Sequence, residues 1–349
     1  MGNKKTAVFP VDYQTVTLVK YAHLCGYKII ALVPPDLNVL AGRNVSVLNE
    51  SARVDIKLHA NYHQKIAESD LVCFLDNEST SDDSLCQDLI DYAKSIDKEV
   101  IVADRLLRRL NSLERPLDQL IDLRLFPLNI PIISVFSMGE KCGQPETELS
   151  IRQHFLSQGY KVLHIGSQEY CHLFGSLPLP DFLYEHTIGV QEKIIRFNQF
   201  VYQACRAEDW DVIVLGVPDP IMKYNNDILN GLGVLPFIIQ NAVKSDVGVL
   251  NMHYNDYNYE FLKYVSQYCK YRLDIEIKYF GISNTTSYKN AEGQNELDYL
   301  QVNSSFVNAN LAPGIGKNKY TVFSIFDDGE RTHAFQKIEQ ELATNLDQV

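Results

Sequence analysis

Short apolar runs recur along the chain and alternate with stretches whose apolar positions fall three and four apart, the pattern of buried strands and amphipathic helices in turn. A first series predicts strands at 6–10, 28–33, 54–58, 71–76 and 99–103, with helices over 13–25, 62–69, 82–96 and 104–113 between them. Val16, Leu18, Val19, Tyr21 and Leu24 share one face of the first helix, and Gly26 stops it. A second series places strands at 130–136, 161–166, 211–216, 247–252, 273–280 and 320–326. Its helices fall at 145–158, 189–207, 229–243, 260–269 and 331–346, the third interrupted by Gly231, Gly233 and Pro236. The turn 217–220, the loop 282–287 and the polar stretch 290–295 read as irregular.

Strands alternating with helices over this length predict doubly wound parallel sheets. The stretch 114–129, with Pro116 and Pro127, parts the two series, so the reading is 1–127 and 128–349. The expected fold class is α/β, two mainly parallel three-layer αβα domains. The N-terminal one is Rossmann- or flavodoxin-like, and the C-terminal one is a degenerate P-loop-like domain.

Composition adjusts this picture little. At 349 residues, 46% apolar and 22% charged, the chain suits two globular cores. A net charge of -12 argues against nucleic acid or anionic membrane as a partner and favours a cationic peptide. No run of about 18 apolar residues occurs, and Met-Gly-Asn-Lys-Lys leads straight into a strand, so the expectation is a cytoplasmic chain without a spanning helix or signal peptide. The seven cysteines, Cys25 among them, are odd in number, scattered and free of C-x-x-C, which reads as reduced core residues.

Candidate chemistry gathers after the strands of the second series, where a parallel sheet holds its ligands. These loops are 139–144, 167–172, 218–219, 253–256 and 283–284. A Walker A loop has the form G-x-x-x-x-G-K-[ST], but Gly139 and Gly143 stand one position too close, and Gln144-Pro145 replaces the Lys-Ser that holds phosphate and Mg²⁺. An intact nucleotide loop is therefore absent, and the cofactor stays open, a nucleotide included. No Gly-x-Gly-x-x-Gly follows the first strand either, so the N-terminal domain reads as a recognition or docking module.

Pro145 suits a first helical position, and Glu146 and Glu148 complement the helix dipole while repelling phosphate. Cys142 at that helix start reads as a small residue filling the turn or as a candidate nucleophile, with Cys171 and His172 expected at the same sheet edge. No zinc spacing is present, and no metal is assigned. Asp219 follows its apolar strand as a Walker B carboxylate does, and equally suits a turn between two prolines. His253 is a candidate for proton transfer. Asp256 reads foremost as the cap of the helix after it. Gly139, Gly143, Gln144, Thr147, Ser167, Asn225, Tyr254, Asn255, Asp256 and Asn284 make up the candidate ligand-binding set. Tyr254, Tyr257 and Tyr259 form an aromatic cluster that reads as core or rim packing or, at a site edge, as a rigid surface for a peptide.

Several motifs resemble the clostridial-type peptide maturation system proteins, which serve ribosomally made, modified peptides. They are Phe9-Pro10 with Tyr27 to Pro34, Gly42, Gly159-Tyr-Lys-Val, Ile165-Gly-Ser167 and Cys171-x-Leu-Phe-Gly175. Asp211 to Pro218, Ile221-Met-x-x-Asn225 and Tyr254-Asn-Asp256 complete them, so the likeness spans most of the chain. The C-terminal half is also distantly similar to P-loop NTPase-like domains and departs from them at Gln144-Pro145. The resemblance implies an accessory role in peptide maturation, with a precursor peptide or a peptide-modifying enzyme as partner, and carries over no catalytic residue. Two other classes stay open. One is an enzyme with noncanonical nucleotide- or thiol-dependent chemistry using Cys142, His172, Asp219 and His253. The other is a non-catalytic scaffold subunit, with a homodimer among the admissible assemblies.

Overall fold

The computed structural model describes residues 4–13, 15–21, 26–48, 54–76, 82–103, 106, 107, 110, 123–289, 297–311, 315–317 and 319–346. Cys25, Pro116, most of the helix expected over 104–113 and the polar stretch 290–295 lie outside the described residues. Contacts divide the chain into two compact units, Met1–Asp118 with Glu169–Pro178, and Gln119–Gln168 with Leu179–Val349.

In the first unit the apolar runs become β1 (Lys4–Phe9), β2 (Tyr27–Leu32), β3 (Leu58–His59), β4 (Leu71–Phe74) and β5 (Glu99–Val102). The helices are α1 (Val16–Tyr21), α2 (Tyr62–Ala67) and α3 (Asp83–Ser95), the last capped by Asp82, whose carboxylate accepts from the Ser84 and Leu85 amides. The parallel strands lie in the order β3-β2-β1-β4-β5, the Rossmann arrangement. Phe9, Phe74, Ile66 and Leu89 pack between sheet and helices. The strand expected over 54–58 is shorter, because the backbone before Leu58 bonds to the loop at Gly42–Val45 instead of to β2. After β1, where a dinucleotide fold would carry its Gly-rich loop, the Asp12 and Thr15 side chains each accept from the other's amide, at 2.9 and 3.0 Å. That turn is filled by its own side chains.

The second unit opens with β6 (Ile132–Ser137), α4 (Gln144–Ser157) and β7 (Val162–Gly166). The short β8 (Leu177–Pro178) belongs to the segment grouped with the first unit. Then come α5 (Val190–Cys205), β9 (Val212–Pro220), α6 (Val234–Ala242), β10 (Val247–Met252), α7 (Tyr259–Leu273) and β11 (Ile277–Ile282). A hairpin of β12 (Thr285–Lys289) and β13 (Leu297–Gln301), then α8 (Ser304–Asn310), β14 (Thr321–Ser324) and α9 (Asp328–Leu346), complete it.

The parallel strands of this unit lie in the order β14-β11-β10-β6-β9-β7. Alternation along β6 sends Phe136 to one face, packed with Ile239 of α6 and Leu262 of α7. Val135 goes to the other, with Ile151 of α4 and Phe335 of α9. The result is a three-layer αβα unit. The chain leaves β6 toward β9 and β7 but leaves β10 toward β11, so the order reverses between β6 and β10. Beyond the carboxyl ends of these two strands lies the topological switch point.

Three expectations need correction here. The turn expected at 217–220 is a continuation of β9, with a break in register opposite β6 between Val135 and Ser137. The loop expected over 282–287 is taken up from Thr285 by β12, which pairs antiparallel with β13. The third predicted helix starts only at Val234, because Asn230, Gly231, Leu232 and Gly233 all take positive φ (47, 60, 56 and 69°) in a left-handed turn ahead of it.

Candidate functional site at the carboxyl edge of the second sheet

The Gly-rich turn between β6 and α4 packs helix against sheet, with Cys142 and Gln144 buried and Glu140 and Lys141 exposed. Lys141 and Gly143 have positive φ, and Gly143 caps α4 without a side chain. A Cβ on Gly143 would lie 2.2 Å from Ile325 Cδ1, so that with φ at 71° a side chain there is strained and the Ile325 end would have to shift. Gln144, at the place of the phosphate-binding lysine, turns back under the sheet. Its Nε2 donates to the carbonyls of Val135 (2.9 Å) and Val217 (2.7 Å). These acceptors lie where the register between β6 and β9 breaks, so the glutamine supplies hydrogen bonds that the ladder does not.

Glu148 is 1% exposed, and its two oxygens accept from the Ser167 amide (3.0 Å) and hydroxyl (2.7 Å). His164 Nε2 lies 3.5 Å from the same carboxylate. Gly216 makes room, since a Cβ there would come within 2.4 Å of the carboxyl group. Glu146 is also buried, with Arg331 Nη1 3.8 Å away. Both carboxylates thus anchor α4 to neighbouring elements.

At the switch point, Asn251 and His253 of the β10 end meet the turn. Asn251 is fully buried and donates to Cys142 O (3.1 Å) and Thr147 Oγ1 (2.8 Å). His253 Nε2 lies 2.6 Å from Glu140 O; a carbonyl only accepts, so Nε2 carries the hydrogen. Nδ1 is then an acceptor facing the Ser287 hydroxyl at 3.3 Å. The imidazole packs against Gly139, where a Cβ would lie 2.6 Å away, and against Tyr299 at 5.5 Å between centroids. Lys141 Nζ sits 4.7 Å over the Tyr299 ring. Burial lowers the His253 pKa, partly offset by the Glu140 carbonyl.

Cys142 is 1% exposed, and burial pushes its thiol up to about 12, although the amides of Gly139, Met138 and His253 face the sulfur and oppose the rise. Near neutral pH this thiol is protonated, the opposite of the activation a helix start would give an exposed cysteine.

Beside the switch point, between the ends of β10 and β11, a cavity of about 190 Å³ opens. Its apolar lining includes the buried Met252, Leu262 and Ile282, with Leu311, Ile315 and Val322 beside them. Tyr254 and the exposed Asn255, Asp256 and Asn310 stand around it. The helix cap expected of Asp256 belongs to Asn258, whose side chain accepts from the Phe261 amide at 2.9 Å. Asn255 instead accepts from the Asp256 amide at 2.8 Å, and its carbonyl accepts from Tyr257 N at 3.1 Å. Among the described residues Asp256 forms no ion pair and projects into solvent. A larger groove of about 640 Å³ in the first unit runs along the amino-terminal ends of β2 and β3, past Lys28 and Lys57, which is the wrong edge of a parallel sheet for ligand chemistry.

The sequence-derived set thus divides. Gly139, Cys142, Gly143, Thr147 and His253 come together at the switch point, while Tyr254, Asn255 and Asp256 border the cavity. Gln144 and Ser167 are anchors of α4. Asp219 is exposed with φ 61°, its carboxylate 3.0 Å from the position of a Cβ on Gly231. Asn225 closes a local turn by accepting from the Asp227 and Ile228 amides. Asn284 is buried, with its carbonyl accepting from Val302 N at 2.6 Å. His172 lies in the segment grouped with the first unit, and no three His, Cys, Asp or Glu side chains among the described residues are placed as metal ligands. Asn251, Ser287, Tyr299 and the Glu148–His164 pair were missed. Only Asn251 left a signal, as a lone amide in the apolar run Val247–Met252.

Sheet order and turn together define the class: an α/β protein with a P-loop-like second unit whose turn carries structural groups where a phosphate-binding loop carries Lys and Ser or Thr. Among solved structures the chain is similar to a DUF1611 family protein from Anabaena variabilis, at a TM-score of 0.62 and 10% identity over 96% of this chain and 100% of that one. At that identity the likeness concerns the fold alone. A pseudomurein peptide ligase type C from Methanothermus fervidus aligns at a TM-score of 0.30 and 13% identity, over 81% of this chain and 44% of the ligase. A chloroplast FtsY from Physcomitrella patens aligns at 0.33 and 12%, over 93% and 99%. These two scores carry no weight for function. No family model and no curated protein matches the sequence. Among the described residues no helix is long and apolar enough to cross a membrane.

Proposed function

We propose that the chain is a cytoplasmic accessory protein of peptide maturation that binds a precursor peptide at the carboxyl edge of its second sheet. The observation that carries this reading is the cavity beside Tyr254–Asp256. At about 190 Å³ it is smaller than the roughly 300–1,000 Å³ of a nucleotide- or drug-sized site and comparable to a cavity of about 150 Å³ that takes one benzene ring. Such a space suits a single side chain of a larger ligand. The motif resemblance points to peptide maturation, and the net charge of -12 favours a cationic peptide. A thiol-dependent catalytic reading finds less support, because Cys142 is buried and its thiol is pushed up to about 12.

Calorimetric titration of the full chain with candidate precursor peptides encoded near its gene tests the proposal. Saturable binding that is weakened by the cavity-filling variant Leu311→Trp is expected. Absence of binding to any peptide from that neighbourhood would remove it.

A further inference from the structure

Resting on that peptide-binding reading, we infer that the cavity between β10 and β11 selects its ligand by two adjacent features: one aromatic or branched apolar side chain, and a cationic group within a residue of it. Met252, Leu262 and Ile282 are buried and give the guest an apolar face, while the Tyr257 phenol and the polar residues at the mouth supply the rest of the lining, so the group that packs on that face is apolar. The volume of about 190 Å³ accepts one ring or one branched chain, with no room for a second.

Charge selection comes from Asp256. Its carboxylate is exposed beside the cavity and forms no ion pair among the described residues. The loop that carries it is fixed, because the Asn255 side chain accepts from the Asp256 amide and the Asn255 carbonyl accepts from Tyr257 N. Tyr254, braced edge-on by Phe306 at 6.0 Å, adds an aromatic surface beside the carboxylate. An aromatic surface next to a carboxylate attracts an ammonium or guanidinium group. Asn310 adds neutral hydrogen-bonding capacity at the mouth and no competing charge. The same cationic chemistry is offered by a free peptide amino terminus and by a lysine or arginine neighbour.

Amidated tripeptides titrated into the full chain by NMR test this and separate the two sources of charge. The probes are Phe-Gly-Gly with a free amino terminus, and acetylated Phe-Lys-Gly, Phe-Glu-Gly and Ala-Lys-Gly. Expected is binding of acetyl-Phe-Lys-Gly, of Phe-Gly-Gly, or of both, at least about threefold tighter than acetyl-Phe-Glu-Gly, the scale of one exposed ion pair. Acetyl-Ala-Lys-Gly binds more weakly still. Asp256→Asn removes the difference between the lysine and glutamate peptides and keeps that between phenylalanine and alanine. Leu311→Trp, with folding checked by circular dichroism, weakens all of them. Phenylalanine peptides that bind equally whatever their charge, or a lysine preference that survives Asp256→Asn, overturn this inference and leave peptide binding standing. No binding of any probe to the wild-type chain overturns the inference, whereas the peptide-binding reading then falls only if the encoded precursor also fails to bind.

Discussion

Gln144 shows how one residue can carry the departure of this chain from a nucleotide-binding loop. A lysine at its place would point an ammonium at phosphate, whereas the glutamine amide bridges Val135 O and Val217 O from below. Gln144→Ala therefore removes the side-chain donor from two carbonyls, and a stability loss of about 1–3 kcal/mol is expected in urea unfolding. Gln144→Lys is expected to cost at least as much and to bring no nucleotide binding in a thermal-shift assay, because the change also buries a charge. The neighbouring Cys142 makes a separate test. With its thiol raised to about 12 by burial, alkylation near pH 8 should label the half-buried Cys205 before the other described cysteines and leave Cys142 unmodified until the protein unfolds. Rapid modification of native Cys142, read by mass spectrometry, would restore the nucleophile reading.

Between elements, polar contacts in place of apolar ones hold the switch point. The N-terminal turns of α4 are tied to β7 through Glu148 and Ser167, across the space left by Gly216 of β9. Gly216→Ala drives a Cβ into the carboxylate and is expected to cost about 1–3 kcal/mol by calorimetry. The β12–β13 hairpin is tied to the turn after β6 through His253. Burial holds this imidazole below its ordinary 6.5, so the unfolded chain takes up the proton more readily than the folded one. Its contribution is complete above about pH 6.5 and is lost as the pH falls below that value. His59 of the first unit is shifted the same way by burial, so the measurement is a difference. Between about pH 7.5 and about pH 5.5, stability should fall less in His253→Gln than in the wild type. Equal slopes would show that His253 is not held neutral by the fold.

For the molecule as a whole, a net charge of -12 makes association with a cationic peptide sensitive to salt. The screening length falls from about 30 Å at about 0.01 M salt to about 3 Å at about 1 M. Stopped-flow association rates for the precursor peptide should therefore drop steeply over that range, while the dissociation rate, set by the cavity, changes little. A salt-independent association rate would mean that the charge plays no part in encounter.

The alternation of apolar runs with helical periodicity determined the fold class, since burying both faces of parallel strands demands apolar side chains wherever a strand lies. Four of the five strands of the first unit and the parallel strands of the second unit's sheet were legible for that reason, as was the absence of lysine and serine after Gly143; β3 meets the expected 54–58 only at Leu58. What each polar residue does was not legible, because a sequence does not say which carbonyls lack partners. The broken register opposite Val135 decided the role of Gln144, and the glycine at 216 decided that Glu148 points inward. The cavity beside Asp256 was equally invisible, for its walls come from strands, two helices and loops spread between Met252 and Val322. Local composition fixes elements; only their packing decides which loop ends meet and which polar groups remain free for a ligand.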